Sequence, residues 1–349
     1  MRITVQHVSS PPRGEYSKLG LDEKKLIDML KTMITIRVFE EKIEELFLKE
    51  GVLMGPAHLY MGSEAIPAGV KHILREGDLV LSHHRGHGHA IMLGIELDKL
   101  FAELLGFKEG HLKGLGGSMH LPIDVSKGGL YASAIVGSQV PIAVGVAYGQ
   151  KYYKLLELPM LRSTTNGNIT VVFFGDGAVN TGAFAEGSVM ASYLKVPLVM
   201  ICENNLYAEF TKTPNLFGYE DVVVQRFLAY DITTVIVDGN DPLSVYKALK
   251  MYESKLREGE GPVAIIANTY RLKGHGVYDK AAYKPVGEEE LFKLRDPITV
   301  FADRLIREGV LTHDELNSMV RDTKTAVNTA FEKARAGSPL PLEELSKYV

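Results

Sequence analysis

Short apolar segments that alternate with helical patterns between residues 169 and 267 constrain the fold of this chain most strongly. The segments ITVVFF, VPLVMIC, ITTVIV and PVAIIA are rich in Val and Ile and lack alternating polar positions. Helical patterns separate them, near residues 182–194, 221–229 and 242–256. Strands that are apolar on both faces are typical of a parallel sheet with helices on both sides. We therefore predict an α/β fold with a mostly parallel sheet.

The segments before and after this region are predicted to extend the same unit. Apolar residues recur at helical spacing from Leu21 to Lys49, and Gly51 is a suitable helix stop. Further helical patterns cover residues 64–74 and 89–105, and long ordered loops are predicted at residues 106–137 and 270–287.

Three parts of the chain are predicted from these patterns. Residues 1–20 form a short N-terminal arm, residues 21–300 the main α/β domain, and residues 301–349 a helical C-terminal extension. A chain of 349 residues is long enough to bury a large core in such a domain.

The composition argues against several classes of protein. Lys and Arg number 39 against 43 Asp and Glu, without a basic run, so neither nucleic acid nor a membrane surface is expected as a partner. No apolar stretch approaches the roughly 20 residues that span a bilayer. Cys202 is the only cysteine, which fits a reducing compartment, and the N-terminus lacks a signal-peptide core. We expect a soluble, cytoplasmic protein.

Two polar segments follow neighbouring predicted strands. Gly175-Asp176-Gly177 comes after ITVVFF, and Asn204-Asn205 comes after VPLVMIC. Asp176 and Asn205 are 29 positions apart, about one βαβ unit, so a right-handed crossover places them side by side at the carboxyl edge. Each segment alone is usually only a turn. Together they predict a magnesium site, because carboxylate and amide oxygens are hard ligands.

These segments resemble the cofactor-binding signature of thiamine diphosphate enzymes. The sequence is most similar to the alpha subunit of the first, decarboxylating component of 2-oxoacid and acetoin dehydrogenase complexes. The resemblance covers roughly residues 30–300 and implies that the main domain has the thiamine diphosphate-binding fold. The matching segments are GDGAVNTGAFAEG, KVPLVMICENNLYAE, IRVFE, HLY, HRGHGH, GGSMH, IVGSQVP and DPI.

The resemblance implies thiamine diphosphate and Mg²⁺ as cofactors. By it, Asp176, Asn205 and the backbone carbonyl of Tyr207 bind the metal ion. Backbone groups of Gly177 and Ala178 then face the diphosphate.

The segment Ser82–His89 contains four histidines and one arginine. A zinc site is one interpretation, because clustered histidines bind metal ions, and a solvated loop without a role is another. We favour an anion clamp, because the arginine fork matches phosphate oxygens. The resemblance assigns His84 and Arg85 to the diphosphate.

Two further histidines are candidate catalytic residues. By the resemblance, His58 lies in the substrate channel, although alone it would be interpreted as a surface histidine. His275 matches the last histidine of a loop that orders over the diphosphate, with Gly274 and Gly276 as expected hinges. This chain has Leu272-Lys273 where relatives commonly have Tyr-His, so the loop's contacts differ.

Several other residues are predicted to line or support the cofactor site. The backbone of Ala134 and Val136 resembles the segment that holds the aminopyrimidine ring, although an apolar turn explains it equally well. The backbone of Ile123 is also expected to line the cofactor. Glu203 is expected to support the metal loop, without a catalytic role.

The resemblance implies an enzyme that cleaves a C–C bond next to a carbonyl and transfers the acyl group to lipoamide of an acyltransferase partner. The glutamate that activates the cofactor then belongs to a beta subunit, in an α₂β₂ tetramer. Glu203 before the paired asparagines favours a pyruvate-type 2-oxoacid or acetoin as substrate. The alternatives are a branched-chain 2-oxoacid enzyme, a transketolase-type enzyme and a non-catalytic regulatory homologue.

Overall fold

One parallel sheet forms the centre of the protein. The computed structural model describes residues 4–53, 55–121, 124–156, 167–213 and 222–348. In chain order the strands β1 to β9 are Val5–Val8, Leu79–His83, Gly129–Ser133, Thr170–Gly175, Leu198–Asn204, Tyr207–Ala208, Thr211–Lys212, Thr233–Asp238 and Val263–Asn268. Seven of these strands pair in parallel in the order β1-β8-β9-β5-β4-β2-β3, whereas β6 and β7 form a small antiparallel hairpin.

Helices cover both faces of the sheet. In chain order, α1 to α12 are Glu23–Glu45, Ala65–Lys71, His87–Met92, Leu97–Leu104, Gln139–Leu156, Gly182–Leu194, Val222–Leu228, Pro242–Arg257, Glu288–Lys293, Pro297–Arg307, His313–Arg335 and Leu342–Leu345. In the described part of the chain, no helix combines the length and apolar character needed to cross a membrane.

Alternate residues of each central strand point to opposite faces of the sheet and belong to two separate hydrophobic cores. In β4, Val171 and Phe173 pack with α1, α2 and α8, whereas Val172 and Phe174 pack with α5, α6 and α7. This arrangement explains why the strand sequences are apolar at every position, and it confirms the predicted α/β class.

The predicted elements of the central region are confirmed, and two earlier predictions need correction. The loop predicted at residues 106–137 contains β3, which was missed because its short sequence GLYAS has no Val or Ile run. The single helical pattern at residues 89–105 is two helices, α3 and α4. They are separated by a turn in which Gly94 has a φ of +74°, a conformation that favours glycine.

Both ends of the chain pack on the main body. The predicted N-terminal arm contains β1, which pairs with β8 at the sheet edge. In the predicted C-terminal extension, α11 packs on α1 and α4, with the Phe331 ring 5.5 Å from that of Phe101. The domain boundaries stay predictions.

A mostly buried charge cluster connects two of the segments that matched the family pattern, IRVFE and DPI, with Glu64 at the start of α2. Arg37 on α1 contacts Glu64 at 2.5 Å and Asp296 at 2.8 Å. Glu64 also accepts the Gly62 N–H at 3.0 Å, and Asp296 caps α10 by accepting the Ile298 N–H at 3.0 Å. The cluster therefore fixes the segment that follows His58 against α1.

Candidate active site

A cavity of about 310 Å³ lies where β2, β4 and β5 end at the carboxyl edge of the sheet. It contains the predicted site residues that the structure describes, and Ile123 lies outside the described residues. The lining residues are His58, His83, His84, Arg85, Met119, Ala134, Val136, Gly175, Asp176, Gly177, Ala178, Glu203, Asn205, Tyr207, Ala208, Glu209, Arg271 and His275.

Asp176 and Asn205 lie side by side, as their spacing predicted. Their strands are neighbours, because Gly175 of β4 pairs with Glu203 of β5. The Asp176 carboxylate accepts hydrogen bonds from the Asn205 backbone N–H and the Thr213 hydroxyl. The Asn205 amide oxygen accepts the Tyr207 N–H at 3.1 Å.

The environment of Asp176 suits a cation. The residue is 1% exposed, and burial raises its pKa despite the hydrogen bond from Thr213. Among the described residues, no Lys or Arg forms a salt bridge with it. A divalent ion placed here would compensate the buried negative charge, with Asn205 and the Tyr207 carbonyl as further oxygen ligands.

Arg85 gives the cavity the properties of an anion site. The buried Arg85 guanidinium donates to the Leu59 carbonyl at 2.9 Å and the His275 carbonyl at 2.6 Å. Burial lowers its pKa to about 9, so it remains a cation at neutral pH. A Cβ at Gly177 would lie 2.9 Å from the Cβ of Ala208, so glycine allows this turn to pack closely against β6.

Three imidazole rings face one another in the cavity. The His58 ring centroid lies 4.8 Å from those of His84 and His275, which are 5.7 Å apart. Burial, then the nearby Arg85 charge, lowers the pKa of His58 to about 3 and of His275 to about 4. His58 Nδ1 is buried without a hydrogen-bond partner among the described residues. These neutral rings can therefore accept a proton or a ligand hydrogen bond.

The pKa of His58 is about 3 in the folded protein and about 6.5 in an unfolded chain. Between about pH 3 and pH 6.5 the unfolded chain therefore binds more protons at this residue than the folded protein does. We expect the unfolding midpoint of the cofactor-free protein to fall as pH decreases from 7 to 5. His58→Gln should reduce this fall, and His313→Gln, on the exposed start of α11, should leave it unchanged. Thermal unfolding at both pH values tests this, and an unaltered slope in the His58 variant would contradict it.

Two other histidines of the 82–89 segment, His87 and His89, do not line the cavity. His87 is buried, with its ring nitrogens 3.0 Å from Glu40 and 2.9 Å from Ser118. His89 is buried beneath the cavity against the Phe173 ring at 3.9 Å. Half of the segment's histidines are therefore internal, and the anion clamp stays a prediction for His84 and Arg85.

The loop at residues 270–287 closes one side of the cavity. Arg85 donates to the His275 carbonyl, and the Val277 N–H donates to the Ala57 carbonyl at 2.9 Å. A Cβ at Gly274 would lie 2.2 Å from the Asp279 carbonyl oxygen, so this turn requires glycine. The hinge role of Gly274 and Gly276 stays a prediction.

Sequence reasoning missed Arg271 as a residue of the site. Its buried guanidinium donates to the Glu209 carbonyl at 2.7 Å and to the Tyr283 hydroxyl at 2.5 Å, and its Nε has no partner among the described residues. The signal was its position four residues before His275 in the predicted functional loop. It adds a second buried cation to the cavity.

A parallel sheet with a cavity at its carboxyl edge, buried cations and neutral imidazoles is typical of an α/β enzyme that holds an anionic cofactor. Comparison with known proteins gives the family. Residues 31–343 match the dehydrogenase E1 component family. The chain belongs to this family of oxidoreductases, whose members use thiamine diphosphate.

Several relatives cover nearly the whole chain. The alpha subunit of acetoin:2,6-dichlorophenolindophenol oxidoreductase from Bacillus subtilis is 40% identical over 320 residues, which are 90% of this chain and 89% of the relative. The protein of the same name from Cupriavidus necator is 34% identical, covering 93% of both chains. The alpha subunit of the pyruvate dehydrogenase E1 component from Rickettsia typhi is 34% identical, covering 92% of this chain and 94% of the relative.

Proposed function

We propose that this chain is the alpha subunit of a thiamine diphosphate- and Mg²⁺-dependent dehydrogenase that acts on acetoin or a small 2-oxoacid such as pyruvate. With its beta subunit, it cleaves a C–C bond next to a carbonyl and passes the acyl group to a lipoyl-bearing acyltransferase in the cytoplasm. The meeting of Asp176, Asn205 and Arg85 in one cavity, in a chain whose relatives are E1 alpha subunits, carries this proposal.

Within this proposal, different polar groups would bind different parts of the cofactor. Asp176, Asn205 and the Tyr207 carbonyl would supply hard oxygens for Mg²⁺, and Arg85 and His84 would supply donors for the diphosphate. Gly177 and Ala178 would allow the diphosphate to approach the backbone, and the backbone of Ala134 and Val136 would contact the aminopyrimidine ring. When bound, thiamine diphosphate supplies the carbon nucleophile and accepts the electrons of the broken C–C bond.

His58 and His275 handle protons at the substrate end of the site. Both are neutral in the folded protein, as their lowered pKa values indicate, so each has a lone pair that can accept a proton from a substrate hydroxyl. His58 Nδ1, which has no partner in the described part of the chain, can form that contact. Arg85 holds the His275 backbone in place, which connects the anion site to the proton-handling residues.

An apolar surface next to the cavity supports a beta subunit as partner. Val136 lines the cavity and is half exposed, so the cavity reaches the surface there. Exposed apolar side chains are concentrated in the segment before α5 and on the neighbouring helices α5 and α6, as is typical of a protein interface. These residues, which we call the apolar strip, are Ile135, Val136, Ile142, Tyr152, Val189, Met190 and Tyr193.

The substrate is tested on the complex reconstituted with a purified beta subunit. We expect reduction of 2,6-dichlorophenolindophenol that depends on thiamine diphosphate and Mg²⁺. We expect kcat/KM for acetoin to exceed that for pyruvate by about tenfold or more, because the 40% identical relative is named for acetoin.

The same assay separates the alternatives. A preference for branched 2-oxoacids would replace the proposed substrate class, and no turnover of any of these substrates would favour a regulatory homologue. A pyruvate preference would keep the proposed class and select its other member.

A further inference from the structure

A buried polar cluster that forms part of the cavity wall has no role in the steps above. Glu203 at the end of β5 contacts His83 Nε2 at 2.8 Å and His89 Nε2 at 3.0 Å, and it accepts a hydrogen bond from the Tyr60 hydroxyl. Ser82 Oγ lies 2.7 Å from His89 Nδ1. We call these residues, Tyr60, Ser82, His83, His89 and Glu203, the Glu203 network.

The network has the composition of a metal site. Ligand atoms of His83, His89 and Glu203 lie within 4.8 Å of one another, and all three side chains are buried. Two histidines and a carboxylate in this arrangement bind transition metals in other proteins. The protonation of His83 decides between a metal site and a hydrogen-bond network.

A backbone donor fixes the tautomer of His83. His83 Nδ1 lies 3.2 Å from the Arg85 backbone nitrogen, which can only donate, so Nδ1 must be the unprotonated acceptor. The proton of the neutral ring is therefore on Nε2, which donates to Glu203 at 2.8 Å. A metal ion on Nε2 would require the proton on Nδ1, opposite the Arg85 N–H. The geometry therefore favours a hydrogen-bond network.

The contacts of the second Glu203 carboxylate oxygen are also consistent with a hydrogen-bond network. The Tyr60 hydroxyl donates to one carboxylate oxygen, and His89 Nε2 approaches the same oxygen at 3.0 Å. With its proton on Nε2, His89 accepts the Ser82 hydroxyl through Nδ1. One buried carboxylate thus accepts three hydrogen bonds.

We propose that Glu203 is a positioning residue of the cofactor site, which through His83 holds the Arg85 backbone so that Arg85 and His84 face the cavity. This inference rests on the proposed function. The His83 side chain accepts the N–H two residues later, the contact that asparagine makes in an Asx-turn. Glu203 and His83 end strands on opposite sides of β4, so the contact connects the metal-binding strand end with the anion clamp.

If Glu203 acts through the contact between His83 and the Arg85 N–H, which we call the His83 relay, two substitutions of His83 should have different effects. In the reconstituted complex, His83→Leu removes the acceptor for Arg85, and we expect thiamine diphosphate binding in excess Mg²⁺ to weaken about tenfold to a hundredfold. His83→Asn offers its Oδ1 to the Arg85 N–H without help from Glu203, so we expect binding within about threefold of wild type. Cofactor titration of both complexes measures this difference.

A double substitution tests the part played by Glu203. In Glu203→Gln, the amide N–H₂ group faces one of three donors, so we expect cofactor binding to weaken about tenfold. In the His83→Asn background the relay is already replaced, so the same change should add less than about threefold. The unfolding midpoint of each complex without cofactor shows whether a variant is merely destabilised, and the two His83 variants carry the test if Glu203→Gln does not fold.

Several outcomes would overturn the positioning role. If His83→Asn and His83→Leu weakened thiamine diphosphate binding equally, the contact between His83 and the Arg85 N–H would not be needed for cofactor binding. If Glu203→Gln weakened cofactor binding as much in the His83→Asn background as in the wild type, Glu203 would not act through His83. Stoichiometric zinc or iron in the purified complex, lost in His83→Asn, would establish a metal site. A wild-type complex that binds no thiamine diphosphate would refute the proposed function itself, a result distinct from the others.

Discussion

Asp176→Asn is expected to abolish cofactor-dependent activity, with a loss of at least about a hundredfold in the reconstituted complex. The substitution preserves the shape of the side chain and an oxygen that can accept the Thr213 hydroxyl. It removes the negative charge that would hold Mg²⁺, and a neutral amide pair is a weak site for that ion. Activity and Mg²⁺-dependent binding of thiamine diphosphate measure the loss.

The same substitution is expected to leave the cofactor-free protein at least as stable as wild type. Burial raises the pKa of Asp176, so its charge is disfavoured in the folded protein when no cation is bound. Thermal unfolding separates the two effects. Wild type should be stabilised by thiamine diphosphate plus Mg²⁺, because a ligand that binds only the folded state raises stability, and Asp176→Asn should show no such shift.

Asp238→Asn is the matched control for this experiment. Asp238 ends β8 at the same edge of the sheet, outside the cavity, and accepts the Asn240 N–H at 3.0 Å and an Arg295 N–H at 2.9 Å. We expect less than about a twofold change in activity. Equal losses in both variants, or full activity of Asp176→Asn, would contradict the proposed magnesium site.

Local sequence patterns were sufficient to predict the strands and the meeting of Asp176 with Asn205. Each strand is an apolar run, and a right-handed crossover leaves one arrangement for consecutive parallel strands. Strand β3 was missed because its short sequence GLYAS has no run of Val or Ile, and it pairs with β2 at the edge of the sheet. The contribution of β1 was missed because a four-residue segment has no detectable period.

The Glu203 network could not be predicted from local sequence. Glu203 and His83 are 120 positions apart, and Tyr60 is 143 positions from Glu203. Spacing within the 82–89 segment shows that histidines are clustered, but only the folded sheet shows which of them face the cavity and which face Glu203. Arg271 was missed for a related reason, since an arginine in a loop is buried only when other elements cover it.

Without its beta subunit this chain is expected to show no turnover, and Tyr193→Glu is expected to produce the same loss when the beta subunit is present. Tyr193 is 81% exposed at the end of α6, in the apolar strip. Next to it, a groove of about 420 Å³ between α5 and α6 is lined largely by apolar side chains. An unpaired carboxylate buried there should weaken assembly by about thirtyfold or more.

Leu342→Glu is the matched control, because Leu342 is 80% exposed but lies on α12 and is not part of the apolar strip. Since both side chains contact mainly solvent, both variants should fold with an unchanged unfolding midpoint. Size-exclusion chromatography with the beta subunit should then show assembly of Leu342→Glu and separate subunits for Tyr193→Glu. Normal assembly of Tyr193→Glu would show that the beta subunit binds another surface, and turnover of 2-oxoacid by the isolated chain would show that its active site is complete without a partner.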